Sequence, residues 1–391
     1  PGPLRVGLVG VGQRGLQHVR ALTELQQEEL VQLAALADPF PDNLAEEKIR
    51  RFAPAYSAKG VRLYTNVKEM VDEGGLDAVW FAMPPNQHRG EIEYAAQHGL
   101  HIFAEKPQSL FLDEVLRQDE AIGKAGVLSM VGFQMRYDRG YTDIRNYLKD
   151  KWVATMIMIS EGAVEGHGVK HTHTEERGGP KNRIWTADRR WSGTSIVEAG
   201  IHQTDIMRYW SHDDVAWVRA NYVERPRELW PLEGDNPIAY TVTYGFKKGA
   251  TGNLLFTKPA RSYYQGRFDC IVWTHGTIKL EEDYVDYHYD GDDWAPTKRL
   301  RPEEVRKVIS KGPHTVAMGH ENTKAMAQSF AEAVLRNRPE LMRNTFHSSI
   351  NSLAAVLAAN VSNDLGGEKV ELEEFIYGDR YARYRQRPRG L

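Results

Sequence analysis

Between an apolar run at 5–9 and a helix-spaced run at 15–29 stands Gly10-Val11-Gly12-Gln13-Arg14-Gly15. Few short patterns constrain a fold so tightly. The first glycine permits a tight turn, the second lets backbone approach a pyrophosphate, and the third lets helix pack on strand. The start of that helix presents unpaired N–H groups and partial positive charge to phosphate. Gly10, Gly12, Gln13, Arg14 and Gly15 are therefore expected to hold a dinucleotide. Asp38 closes a second strand at 31–37, where a carboxylate can take both ribose hydroxyls of the adenosine. Its charge would repel a 2′-phosphate, and Pro39-Phe40-Pro41 offers no arginine to accept one. NAD is expected over NADP.

The pattern that follows fixes the class of fold. Further strand-like runs at 76–83, 99–104 and 127–133 alternate with helical spacing, which predicts a doubly wound parallel sheet. Beyond about residue 150 the runs at 152–159, 215–223, 239–246, 252–256, 266–273 and 276–280 are joined by turns instead. They predict one open, mostly antiparallel sheet, with helices returning at 322–335 and 348–360. The expected organisation is an α/β Rossmann domain over 1–130 and an α+β domain for substrate binding and oligomerisation over 131–391. A chain of 391 residues, 41% hydrophobic, can bury two such cores. A net charge of −3 gives no electrostatic case for nucleic acid or an anionic membrane. The single Cys270 excludes an internal disulfide and fits a reducing cytoplasm. No apolar run approaches the ~20 residues of a membrane span.

Two distant segments carry chemistry. Lys106 precedes Pro107, which pushes it out of helical conformation. Glu198 and His202 are four apart, so on one helix they would share a face, with Asp205 joining it. A neutral imidazole with a pKa near ~6.5 can accept a hydroxyl proton, and a carboxylate beside it would raise its basicity. A positioned lysine, an acid and a histidine beside a dinucleotide site are what hydride transfer from a sugar or polyol hydroxyl requires. Trp185 either stacks on the apolar face of a sugar ring or packs in the core. The long connection 162–193 carries His167, His171, His173, Glu175 and Glu176. These are read as substrate-contacting or solvated groups rather than metal ligands. Arg380, Arg383, Arg385, Arg387 and Arg389 are read as a solvated or subunit-binding tail.

GVGQRG at 10–15, Asp38, LDAVWFAMPPNQH at 76–88, AEKP at 104–107, VGFQMRYD at 131–138 and GTSIVEAGIHQTD at 193–205 occur in this order. The set resembles the Gfo/Idh/MocA family (glucose–fructose oxidoreductase, inositol dehydrogenase, rhizopine catabolism). The resemblance implies NAD-dependent oxidation of a sugar, polyol or cyclitol hydroxyl, with Lys106 polarising the oxygen, His202 as base and Glu198 tuning the pair. It implies a cis bond before Pro107, and Glu105 holding the ribose or orienting Lys106. Pro84, Asn86 and His88 would line the nicotinamide-side ribose and pyrophosphate, and Gln134 the nicotinamide. Arg136 and Asp205 would serve the substrate, or Arg136 would buttress the site. Met83 stands where relatives often carry threonine, which bears on one side-chain hydrogen bond in the cofactor loop; Glu198 replaces a usual aspartate, so substrate geometry should differ from inositol dehydrogenase. The alternatives within the same fold are redox-neutral glycoside cleavage and a sugar or NAD sensor without activity. Tetramers are common in the family, and Tyr240, Val242, Tyr244, Phe256, Phe268 and Trp273 are expected to leave an apolar sheet face for a homodimer or homotetramer.

Overall fold

The computed structural model describes residues 2–162, 185–229, 234–258, 267–281, 284–289, 298–300 and 319–388. In the first half, β1 (Leu4–Val9), α1 (Gln13–Gln27), β2 (Val31–Ala37), α2 (Glu46–Phe52), β3 (Arg62–Tyr64) and α3 (Val67–Asp72) lead into β4 (Ala78–Phe81). Then come α4 (Glu91–Gln97), β5 (His101–Ala104), α5 (Leu112–Ala125) and β6 (Ser129–Val131). The strands form one sheet in the order β3-β2-β1-β4-β5-β6, and every neighbouring pair is parallel. All four residues of β4 are buried, as expected of a strand covered by helices on both faces. Sequence order reverses between β1 and β4, so the loops at their carboxyl ends open one crevice, where ligands of such sheets sit. The third strand has only three residues at the sheet edge, too few for its pattern to stand out in the sequence.

The second half runs α6 (Arg139–Tyr147), β7 (Val153–Glu161), α7 (Arg189–Ser192), α8 (Ser195–Glu198) and α9 (Ile201–Ser211). It continues with β8 (Val215–Val223), β9 (Ala239–Phe246), β10 (Thr251–Thr257), β11 (Arg267–Trp273), β12 (Gly276–Glu281), β13 (Tyr284–Tyr289) and β14 (Lys298–Leu300). Helices α10 (His320–Arg336) and α11 (Phe346–Asp364) follow, then β15 (Val370–Glu371). The sheet order is β14-β13-β12-β11-β7-β10-β9-β8-β15. Only β7 and β10 pair in parallel among these strands.

The apolar side of this sheet is not the exposed face that its alternation suggested. Tyr240, Val242, Tyr244, Phe256 and Trp273 are buried, in one cluster with Ile206 and Met207 of α9 and Leu353 and Val356 of α11. The sequence showed a helix near 348–360 but not the surface it would cover. Phe268 pairs with Ile159 and points to the other side, where Ile157 and Leu255 are exposed. Helix α10 leaves this layer altogether. Met326 and Phe330 join Leu16, Val19 and Leu22 of α1 in the core of the first sheet, and Phe330 meets the ring of Trp80 edge-on at 5.2 Å. Chain from beyond residue 131 thus completes the nucleotide-binding layer. No described helix is long and apolar enough to cross a membrane.

Candidate active site

Gly10 ends β1 at φ 87°, and a side chain there would overlap the backbone of Ala82 in the loop after β4. Gly15 packs so closely on the Gly10 carbonyl that a Cβ could not fit. At Gly12 the space is open, with nothing within 4 Å of where a Cβ would stand. Helix α1 begins there without a side-chain cap or an acid in its first turn, so the open space faces free amides suited to an anion. Nearby, Asn86 Oδ1 and His88 Nδ1 are buried without a partner among the described residues. The crevice therefore fits a dinucleotide. Asp38 is more deeply engaged than expected. Its Oδ2 accepts from the Val11 amide at 2.8 Å, and its Oδ1 from the Phe40 amide at 2.9 Å and Asn43 Nδ2 at 3.0 Å. A carboxylate has about four acceptor sites, so little capacity remains to take two ribose hydroxyls at once. Asp38 ties the glycine turn to the end of β2 before it touches any ligand.

Glu105 extends β5 by donating its amide to the Phe81 carbonyl at 2.8 Å. Its carboxylate lies against Gly132, where a Cβ would stand 2.7 Å from it. Arg14 Nε donates to Glu105 Oε1 at 2.7 Å, and His18 Nε2 lies 2.6 Å from the same oxygen. Burial opposes ionisation, but Arg14, His18 and Lys106 outweigh it and hold the carboxyl well below the usual range. Two residues expected at the cofactor, Arg14 and Glu105, are thus bound to each other. Arg14 also donates to Thr323 of α10 at 3.0 Å, and Thr323 to Gln134 at 3.3 Å. Gln13 is exposed on the first turn of α1, and Pro84 is half-buried.

The Lys106–Pro107 bond is cis, and Lys106 Nζ crosses to the second half of the chain. It donates to the Glu198 carbonyl at 2.7 Å and to Glu198 Oε1 at 3.2 Å. The first of these bonds depends on a break that the four-residue spacing concealed. Glu198 ends α8, and α9 begins only at Ile201, so Glu198 and His202 do not share one continuous helix. The Gly200 amide donates to the Ser195 carbonyl and the His202 amide to the Ala199 carbonyl. The Glu198 carbonyl, which a regular helix would give to His202, is left for the lysine. Thr194, just before α8, holds φ 140° and ψ 164°, a strained conformation for a β-branched residue, costing on the order of 1–3 kcal/mol. Asn360 of α11 pins this turn, accepting from Thr194 Oγ1 and donating to the Gly193 carbonyl, both at 2.9 Å.

Electrostatics divide Glu198 and His202, both within the field of Lys106. Burial opposes ionisation of Glu198, yet Lys106 and then Lys258 bring its pKa down to about 2. Burial, and next the Lys106 ammonium, push His202 down to about 3 against the opposing pull of Glu198. The value near ~6.5 expected for an ordinary histidine does not hold here, because the ring is desolvated beside a cation. His202 is a neutral imidazole at any physiological pH. Its Nδ1 is buried and has no partner among the described residues, and Phe133 lies edge-on at 6.5 Å.

Residues 4–133 match the model of the oxidoreductase family with an NAD-binding Rossmann fold, Gfo/Idh/MocA. Over 366 residues the chain is 24% identical to scyllo-inositol 2-dehydrogenase (NAD(+)) of Bacillus subtilis, covering 91% of this chain and 93% of that one. Residues 4–133 thus carry the NAD-binding Rossmann domain of the Gfo/Idh/MocA oxidoreductases. Myo-inositol 2-dehydrogenase of Thermotoga maritima is 27% identical over 68% of this chain and 72% of its own. The fold is shared with levoglucosan dehydrogenase solved with NADH and L-sorbose (TM-score 0.72, 19% identity, 95% and 99% of the two chains).

Several positions of the Gfo/Idh/MocA pattern stand elsewhere than at the lysine. Arg136 Nε and Nη2 grip Asp205 at 2.7 and 2.8 Å, and Ser352 donates to the same carboxylate at 2.8 Å. Arg136 Nη1 donates to the Arg343 carbonyl at 2.7 Å. Both side chains are buried, and their polar groups are occupied within the protein rather than presented to a substrate. Trp185 opens a single turn, Trp185–Ala187, and is half-buried. His167, His171, His173, Glu175 and Glu176 lie outside the described residues, among which no His, Cys, Asp and Glu group could hold a metal. Sequence reasoning missed His18, Lys258 and Asn360. Each acts across 60 or more residues on the partner named above, and no local pattern marks such a pairing.

Proposed function

We propose that this chain is an NAD-dependent dehydrogenase that oxidises a secondary hydroxyl of a sugar, polyol or cyclitol. The observation that carries the reading is the convergence of Lys106, Glu198 and His202 beside the dinucleotide crevice. Gly10, Gly12, Gly15 and the loop from Pro84 to His88 hold the cofactor, with Asp38 favouring NAD over NADP. When bound, NAD supplies the two-electron acceptor. Lys106 donates to the reacting oxygen and stabilises alkoxide character there. His202, kept neutral, accepts the hydroxyl proton on its free lone pair. Glu198 fixes the lysine and partly restores the basicity that burial removes from the ring. Closing the site against water strengthens these interactions.

The relatives favour a cyclitol as the first substrate to try, and Glu198 in place of the usual aspartate favours one other than myo-inositol. A panel of cyclitols and sugars assayed with NAD and with NADP tests the assignment by formation of reduced cofactor. Turnover of a glycoside with no net reduced cofactor would replace it by the redox-neutral reading. Residues 1–130 serve the cofactor and 131–391 the substrate and assembly. The lone buried Cys270 supports a reducing compartment, the cytoplasm. A second copy of this chain packs on the outer sheet face, where Ile157 and Leu255 are exposed on neighbouring strands. Light scattering should give two or four times 44.5 kDa, and a monomer at micromolar concentration would remove this assembly.

A further inference from the structure

Of the arginines read as a solvated tail, Arg380 and Arg383 are exposed, Arg385 and Arg387 turn back onto the first half of the chain, and Arg389 lies outside the described residues. After the short helix Ala382–Arg385, Arg387 returns to the carboxyl edge of the first sheet. Its Nε and Nη2 hold Glu114 at 2.6 and 3.0 Å. Its Nη1 donates to the Asn86 carbonyl at 2.9 Å and Nη2 to the His88 carbonyl at 3.2 Å. The guanidinium also stacks on Phe111 at 4.3 Å from the ring centre. Arg385 anchors the same strap through Asp113 at 2.9 Å. Four of the five N–H groups of a guanidinium are thus spent on one loop and one helix start.

We infer that Arg387 is a positioning residue for cofactor binding, and that the C-terminal strap keeps the loop from Pro84 to His88 in its binding shape. That loop follows β4, backs onto Gly10, and carries two buried atoms, Asn86 Oδ1 and His88 Nδ1, that have no partner among the described residues. Atoms left without partners inside a fold favour any rearrangement that would satisfy them. Arg387 opposes that rearrangement from outside the loop, adding to the hold that Arg89 Nη1 has on the same two carbonyls at 2.9 and 2.7 Å. The partner Glu114 lies in the first turn of α5 and also accepts from Ser109 at 2.8 Å, so the strap clamps the loop to the segment that follows Lys106. A planar fork is needed to hold a carboxylate and two carbonyls together, which lysine cannot do.

The inference rests on the cofactor reading of this crevice, and two measurements keep the two apart. Hydrogen exchange of residues 84–89 is followed in the protein without cofactor, and NAD affinity is measured by calorimetry. Arg387→Ala should speed exchange in this loop while β1 and β5 stay protected. It should weaken NAD by the factor by which the competent loop population falls, about threefold or more, and raise KM for NAD with kcat nearly unchanged. Arg387→Lys, which keeps the charge, should restore only part of either effect and serves alone if the alanine variant does not fold. Wild-type exchange and wild-type NAD affinity in a folded variant would overturn the strap. Failure of the unmutated protein to bind NAD would overturn the cofactor reading instead, and the exchange measurement would still decide whether Arg387 orders the loop.

Discussion

Two ion pairs leave the short segment from Glu198 to Asp205, and they are built in opposite ways. Asp205 receives a two-pronged guanidinium and a hydroxyl, all buried and all satisfied. Glu198 receives Lys106 through one carboxylate oxygen at 3.2 Å, with the lysine's shorter bond going to a backbone carbonyl. Beside it His202 keeps a buried nitrogen with no partner among the described residues. A saturated buried pair fastens elements together, because its polar capacity is used up. An under-satisfied pair next to an open crevice keeps capacity for a ligand. Both pairs stand on residues that sequence reasoning assigned to one site, and only the saturation of their bonds separates fastening from chemistry.

The contrast breaks most decisively at the lysine and the histidine. Lys106→Ala and His202→Ala should each lower kcat by ~10²–10⁴-fold with NAD binding little altered. Wild-type turnover by either, measured under saturating substrate, would move the chemistry elsewhere. The saturated pair should behave in reverse. Arg136→Met leaves Asp205 charged and buried, and should cost ~3–5 kcal/mol in urea unfolding. Arg136→Met with Asp205→Leu should cost less than the single change, since no charge is then stranded. A smaller loss in the single variant than in the double one would show that the pair is not the fastener described.

A smaller effect belongs to Asp38. The unmutated protein should bind NAD at least about tenfold more tightly than NADP, ~1.4 kcal/mol. Asp38→Ala should narrow that gap, but by losing NAD as well as by gaining NADP, because the Val11 amide, the Phe40 amide and Asn43 lose their acceptor. Calorimetry with both cofactors separates these contributions, and equal affinities before mutation would remove the selectivity altogether.

The finest test concerns pH. With His202 held down to about 3, the neutral base persists as pH falls, so kcat/KM should show no break near 6.5. Stability has the opposite sign. Below ~6.5 the unfolded chain takes up a proton that native His202 refuses, so stability is lost progressively from there towards pH 3. Activity at low pH should therefore be limited by unfolding, which thermal denaturation at pH 5 and pH 8 would show. Lys106→Met removes the neighbouring cation and should raise the His202 pKa, read from the ring proton resonances. An unmoved resonance would mean that burial alone sets the value.

Much of this was legible along the chain. The glycine turn, Asp38 and the alternation of strand and helix are local patterns, and the first sheet follows from them. Lys106, Glu198 and His202 were legible as residues through the order of their motifs. Their relation was not. The four-residue spacing implied one helix, whereas the break at Ala199 and Gly200 frees the Glu198 carbonyl for Lys106. The exposed apolar face expected of the second sheet is instead buried under α9 and α11, since a periodicity shows that a strand has an apolar side but not which helix will cover it.

By itself the sequence determined a dinucleotide fold, a second open sheet and the residue types proposed for hydride transfer, because each is written in local motifs. The tertiary structure decided which polar groups are saturated within the fold and which keep capacity to spare. It placed His18 on Glu105, Asn360 on the strained turn at Thr194, and Arg387 on the loop after β4. It also set the His202 ring low by burying it beside Lys106. Burial and charge proximity are properties of residues brought together from far along the chain, and no local pattern encodes them.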